Sequence, residues 1–226
     1  MFLLIPYEIE TLKQVHPWAN WLIVGLCSLV SLMFFGNALP DDLVYALILS
    51  GWNPTGLFGH VFLHGGLMHL IGNMIFLWVF GNAVCTNIGN LKYLAVFFGC
   101  ALIAGIFHNI FDGNPAIGAS GAINGIVGIV LAMYPLNRIY VFWLFLIKGG
   151  TFAVRAWVII LFWLAFDIWG AATGGGMIAY WAHIGGLIGG VSLGALCLHL
   201  GWIQLTRYDN RSLVDIFTGR EAEDIF

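Results

Sequence analysis

Six long apolar segments follow one another along the chain, at about 18–39, 60–84, 92–111, 118–136, 153–171 and 178–200. Each is close to the roughly 20 residues that a helix needs to cross a bilayer. Their apolar residues run continuously, with no period-two alternation, so helices are expected and a β-barrel is not. A seventh apolar run, residues 139–147 (IYVFWLFLI), is too short to cross and lies between Arg138 and Lys148, which reads as an interfacial segment. The expected fold is all-α, a polytopic six-transmembrane-helix bundle over residues 18–200. An N-terminal cytoplasmic segment, 1–17, precedes it and a polar tail, 201–226, follows.

Composition agrees: 61% of the residues are hydrophobic and 8% are charged, which no soluble surface accommodates. Residues 1–17 carry Pro6, Glu8, Glu10, Lys13 and Pro17 and lack the basic start and cleavage site of a signal peptide, so the first span reads as a retained signal anchor. Charge then sets orientation. Lys13, Lys92, Arg138, Lys148, Arg155, Arg207, Arg211 and Arg220 all fall on one side of a six-span topology, whereas the opposite loops hold only Asp41, Asp42 and Asp112. The positive-inside rule places both termini in the cytoplasm, with a bacterial inner membrane as the expected location. A net charge of −3 gives no reason to expect a nucleic-acid partner, leaving membrane lipid as the surrounding medium. Cys27, Cys85, Cys100 and Cys197 sit in different spans without metal or redox spacing and read as packing residues.

Two polar residues interrupt apolar segments between glycines: Ser120 in Gly118-Ala119-Ser120-Gly121 and His183 in Ala182-His183-Ile184-Gly185-Gly186. A hydroxyl and an imidazole are costly in hydrocarbon without partners, and intramembrane ionisable residues are functional candidates by default. Both spans enter from the outer side, which puts the two residues at one depth, roughly 3–8 Å inside the boundary. Small residues at four-residue spacing (Ala182, Gly186, Gly190, Gly194) face Gly121, Gly125 and Gly128, a pattern that brings helix backbones close in lipid.

A serine becomes a nucleophile when a base accepts its proton, and neutral histidine does so, which points to acyl transfer. That chemistry also needs donors for an oxyanion. His69 and Asn73, four apart on the second span, share a helix face and can supply them, with the Ser120 amide at the start of span four as a third donor. Taken alone, His69 and Asn73 read more readily as interhelical hydrogen-bonding residues. A competing class is a haem- or metal-binding membrane protein using His60, His64, His69, His108 and His183, since His60 and His64 stand i, i+4. No His-Glu-x-x-His is present, however, and that reading leaves Ser120 unexplained. A transporter finds no inverted repeat in support. No cofactor is implied.

The ordered set of Gly-Ala-Ser-Gly at 118–121, Ala-His-x-Gly-Gly at 182–186, and His69 with Asn73 resembles the rhomboid family of intramembrane serine proteases over about residues 18–199. The resemblance implies a six-helix bundle with a water-filled site open to the outer face. It makes Ser120 the nucleophile, His183 the general base and acid, and Asn73 and His69 the oxyanion donors. His64 matches a further histidine assigned to local structure or water retention. Residues 40–58 would form the first outer loop, and transmembrane proteins would be the substrates. A noncatalytic rhomboid-like binder of transmembrane helices is the alternative.

Three positions depart from the family pattern. Thr55-Gly56 stands where many members have Trp-Arg, Cys85 replaces a glutamate, and Asn124 replaces an aromatic residue four positions after the nucleophile. Asp167, the acidic residue within span five, reads more readily as a helix cap than as a partner of His183. The catalytic group is therefore expected to be a dyad.

Overall fold

The structure, a computed structural model, describes residues 2–12, 14–174, 176–206 and 209–220. Lys13 and Arg207, counted above on the inner side, and positions 221–226 of the polar tail lie outside the described residues. Strand β1 (Phe2–Ile9) leads into α1 (Trp18–Phe35), the short helices α2 (Asp41–Leu47) and α3 (Pro54–Gly59), and a single 3-10 turn at His60–Phe62. Helix α4 (Leu67–Phe76) continues through a π turn at Leu77–Gly81 into α5 (Asn82–Ile88). Then come α6 (Asn90–Phe111), α7 (Ser120–Met133), the strands β2 (Arg138–Phe145) and β3 (Lys148–Arg155), α8 (Ala156–Thr173), α9 (Tyr180–His199) and the short α10 (Leu213–Thr218).

Among the described residues, five helical stretches are long and apolar enough to cross a membrane: α1, the Leu67–Ile88 rod, α6, α8 and α9. The chain is an integral, multi-pass membrane protein. Helix α1 shows the logic of a lipid-solvated bundle. Ala19, Ile23, Cys27 and Ser31, at four-residue spacing, are buried, while Leu22, Leu26, Leu29 and Leu32 face outward.

The fourth expected crossing is shorter than its apolar run. Helix α7 begins only at Ser120, after Gly118 at φ +122°, and stops at Met133, two residues before Pro135. The residue preceding a proline is pushed out of the helical region, and Tyr134 accordingly leaves it at φ −131°. Fourteen residues rise about 21 Å, short of the roughly 30 Å hydrocarbon layer. Buried nearly all round, α7 is the central helix of the bundle.

The small residues singled out in the sequence form its main contact, with α9. A Cβ on Gly186 would strike the Gly121 carbonyl oxygen, one on Gly190 the Gly125 carbonyl oxygen, and one on Gly128 the Leu187 carbonyl oxygen. At the far end, a Cβ on Gly194 would come within 2.7 Å of the Ala132 Cβ. The two backbones meet directly, and only glycine permits it.

The run at 139–147 is a strand, an element the helical reading did not include. Strands β1, β2 and β3 form an antiparallel sheet in that order, with Ile139 paired to both Ile9 and Val154. Ile139 and Val141 are buried, whereas Ile147 at the hairpin tip is 95% exposed, which fits a sheet lying against the base of the bundle. Asn137 ties this end together. Its Nδ2 donates to the Glu10 carbonyl and its Oδ1 accepts from Asn210 Nδ2 at 3.0 Å, so the N-terminal strand, the hairpin and the C-terminal segment meet there.

Candidate active site

At the other end of α7, hydrogen bonds fix the approach to Ser120. Leu49 and Ala116 exchange backbone hydrogen bonds of 3.0 and 2.9 Å, and Gly118 N donates to the His60 carbonyl at 2.9 Å. His108 Nε2 bonds the Asn114 carbonyl at 2.8 Å, holding the turn between α6 and α7. Ser120 is the first residue of α7, and no side chain caps the helix there. The first-turn amides therefore lack intrahelical partners and face a site where an anion is favoured.

His183 lies in the first turn of α9. A Cβ on Gly121 would be 3.3 Å from the Ala182 Cβ, so the residues next to Ser120 and His183 touch across the interface. The fold brings the hydroxyl and the imidazole to the same end of its tightest helix pair. Among the described residues, no hydrogen bond joins them. The His183 ring is held from the other side, where Nδ1 lies 2.9 Å from Asp167 Oδ1. Since a carboxylate only accepts, Nδ1 carries the proton and Nε2 is left as the basic nitrogen.

From the second span, His69 reaches the same place. His69 Cε1 and Nε2 lie 2.8 and 2.9 Å from the position that a Gly118 Cβ would occupy, and Ser120 Oγ lies 3.8 Å from it. Glycine at 118 leaves the room that the His69 ring fills. His69 Nδ1 accepts from Gly65 N at 3.3 Å, so in the neutral ring Nε2 carries the hydrogen, on the edge beside Gly118. Asn73, one turn below His69, is 7% exposed, and its Nδ2 is buried without a hydrogen-bond acceptor. An unpartnered buried amide is costly, and it supplies a donor not engaged elsewhere. His64 is buried behind this group, with Nδ1 2.8 Å from Ser31 Oγ and its ring edge-on to His69 at 5.2 Å.

Other residues noted in the sequence have definite places. Asn124 Nδ2 donates to the Ser120 carbonyl at 3.0 Å, within its own helix rather than across to another. Gly56 lets the first outer loop close on itself, since a Cβ there would strike the Ile48 carbonyl oxygen, and Thr55 N bonds the Asn53 cap at 3.2 Å. Cys85 joins a polar network at the α5 end of the second span. Its Sγ contacts Asn90 Oδ1, while Asn20 bonds the Leu77 carbonyl, Asn82 and Tyr93. His60 Nδ1 bonds the Gly56 carbonyl, so both His60 and His108 have a ring nitrogen engaged by backbone. All four cysteines are buried free thiols.

Asp167 is the residue that sequence reasoning placed differently. It lies six residues before the end of α8 at Thr173 and does not cap that helix. The available signal was a matched spacing. Asp167 and Gly170 stand three apart on one helix, and Tyr180 and His183 three apart on the next.

Comparison with known proteins matches residues 51–200 to the rhomboid domain. The chain is 31% identical over 149 residues to the mitochondrial Rhomboid protein 1 of Saccharomyces cerevisiae, covering 63% of this chain and 41% of that protein. It is 26% identical over 193 residues to the rhomboid protease GlpG of Klebsiella pneumoniae, covering 81% of this chain and 64% of that one. The Salmonella choleraesuis GlpG gives 26% over 195 residues, 82% of this chain and 65% of the relative. The chain thus spans less than two thirds of the length of these relatives. With the domain match extending from the first outer loop to the end of α9, the chain belongs to the rhomboid family.

Proposed function

We propose that this chain is an intramembrane serine endopeptidase that cleaves the transmembrane segments of other membrane proteins. Ser120 Oγ attacks the scissile carbonyl while His183 Nε2 takes its proton and later delivers it to the leaving amine. The Ser120 amide, Asn73 Nδ2 and His69 Nε2 donate to the oxyanion of the tetrahedral intermediate. One observation carries the reading: Gly121, next to Ser120, packs on Ala182, next to His183, at the end of the α7–α9 pair where both helices begin. The unpartnered Asn73 amide supports it, because its missing acceptor is what the intermediate provides. Bonds between nucleophile and base are commonly long in unliganded enzymes and tighten in the substrate complex.

Substrate choice follows from helix chemistry. A peptide carbonyl inside an intact helix is engaged by an N–H four residues on, so cleavage requires a segment whose helix is locally weak. In the proposed setting, water reaches the nucleophile at the start of α7 through the outer face. The proposed setting is a bacterial inner membrane with both termini cytoplasmic. The relatives named as rhomboid proteases support the activity. The test is cleavage of a single-span reporter in proteoliposomes. Wild-type protein is expected to cut within or beside the span and Ser120→Ala to be inert; cutting by Ser120→Ala would remove the proposal.

A further inference from the structure

We propose that Asp167 is a positioning residue for His183, which makes the site a Ser-His-Asp triad. The inference rests on the proposed roles of Ser120 and His183. Asp167 Oδ1 lies 2.9 Å from His183 Nδ1, and both side chains are 15% exposed, shielded without being sealed from water. The pairing is built into the helix contact. Gly170, one turn after Asp167 on α8, receives the ring of Tyr180, one turn before His183 on α9, and a Cβ at 170 would strike that ring. The Tyr180 ring stands edge-on to the His183 ring, with centroids 6.4 Å apart. Each helix therefore contributes one packing residue and one polar residue at the same spacing, and closing the glycine–tyrosine contact aligns carboxylate with imidazole.

The chemical consequence is a fixed tautomer. A carboxylate at Nδ1 holds the proton there, orients the ring, and leaves the Nε2 lone pair to accept from Ser120. When Nε2 is protonated in the reaction, the carboxylate also stabilises the imidazolium. Tyr180 presents only its ring edge, so among the described residues the carboxylate that supplies this function is that of Asp167.

The test combines a spectroscopic and a kinetic readout on full-length protein in detergent micelles. In protein labelled with 15N-histidine, the His183 resonances of wild type and of Ser120→Ala are expected to show Nδ1 protonated and Nε2 bare. Asp167→Asn, which can donate as well as accept, should populate the opposite tautomer. Reporter turnover should fall roughly 10- to 1,000-fold, less than the roughly 10,000-fold seen for a fully buried aspartate, with KM within about twofold. Gly170→Ala, which displaces the helix contact without touching either polar residue, should also disturb the tautomer. A wild-type His183 protonated on Nε2, or an Asp167→Asn variant with unchanged turnover, would overturn the inference. So would a turnover loss with the tautomer intact, which is the mark of a merely structural role. Cleavage by Ser120→Ala would instead overturn the nucleophile assignment while leaving the tautomer result standing, so the two failures are distinguishable.

Discussion

Gly186 of α9 rests against the carbonyl oxygen of Gly121 on α7 so closely that a single methyl group cannot be placed between them. This contact lies one turn below His183 and one residue after Ser120, so it sets the separation of the proposed nucleophile and base. Gly186→Ala and Gly190→Ala are expected to wedge the two helices apart. Each should lower stability by about 1–3 kcal/mol, the usual cost of overpacking, and reduce reporter cleavage further than that loss explains. Gly25→Ala, where a Cβ meets nothing within 4 Å, is the control and should lower neither. Thermal unfolding and turnover measured on the same preparations check this.

Asn73 offers a separation of chemistry from folding. Its Nδ2 has no acceptor in the resting structure, so removing it sacrifices no bond from that atom. Asn73→Ala should retain the unfolding temperature while turnover falls roughly 100- to 1,000-fold, as for other oxyanion donors. A large drop in unfolding temperature would mark Asn73 as an interhelical bridge.

Gly118 should be sensitive for two reasons. Its φ of +122° disfavours any side chain, and a Cβ there would sit 2.8 Å from the His69 ring. Gly118→Ala is expected to cost about 1–3 kcal/mol of backbone strain and to displace His69, lowering turnover with a smaller change in KM. Steady-state kinetics with a reporter span, beside calorimetric unfolding, would show both effects.

Asn20 should behave in the opposite way. Its amide bonds the Leu77 carbonyl and Asn82 at 2.9 Å, and its Oδ1 accepts from Tyr93 at 2.6 Å. These groups lie among the start of α1, the π turn and the starts of α5 and α6, away from Ser120. At about 1 kcal/mol per bond, Asn20→Ala should lower stability by roughly 2–4 kcal/mol, while the fraction that remains folded turns over at the wild-type rate. Active-site titration against total protein distinguishes the two quantities.

The helical bundle was legible because long apolar runs in a bilayer have one easy solution, and the glycine ladders of α7 and α9 named their own interface. The matching of two helix starts was readable too, since Ser120 and His183 stand in the first turns of helices packed against each other. The sheet was not. IYVFWLFLI is apolar on both faces and carries no period that separates strand from helix, and its partner strand lies more than 120 residues earlier in the chain. Asp167 was hidden for another reason. Whether it meets His183 depends on the rotation of α8 about its axis, and the Gly170–Tyr180 contact that sets this rotation shows only once the two helices are packed. The network near Cys85 escaped as well, because it is spread over Asn20, Asn82, Asn90 and Tyr93, of which Asn20 lies far from the others in the chain.

The most direct measurement is to treat the purified protein with a fluorophosphonate and locate the adduct by peptide mass spectrometry. Activation of Ser120 by His183 predicts a single adduct on Ser120, lost in Ser120→Ala and strongly reduced in His183→Ala. An unlabelled Ser120 in protein that still cleaves the reporter, or labelling undiminished by His183→Ala, would contradict it.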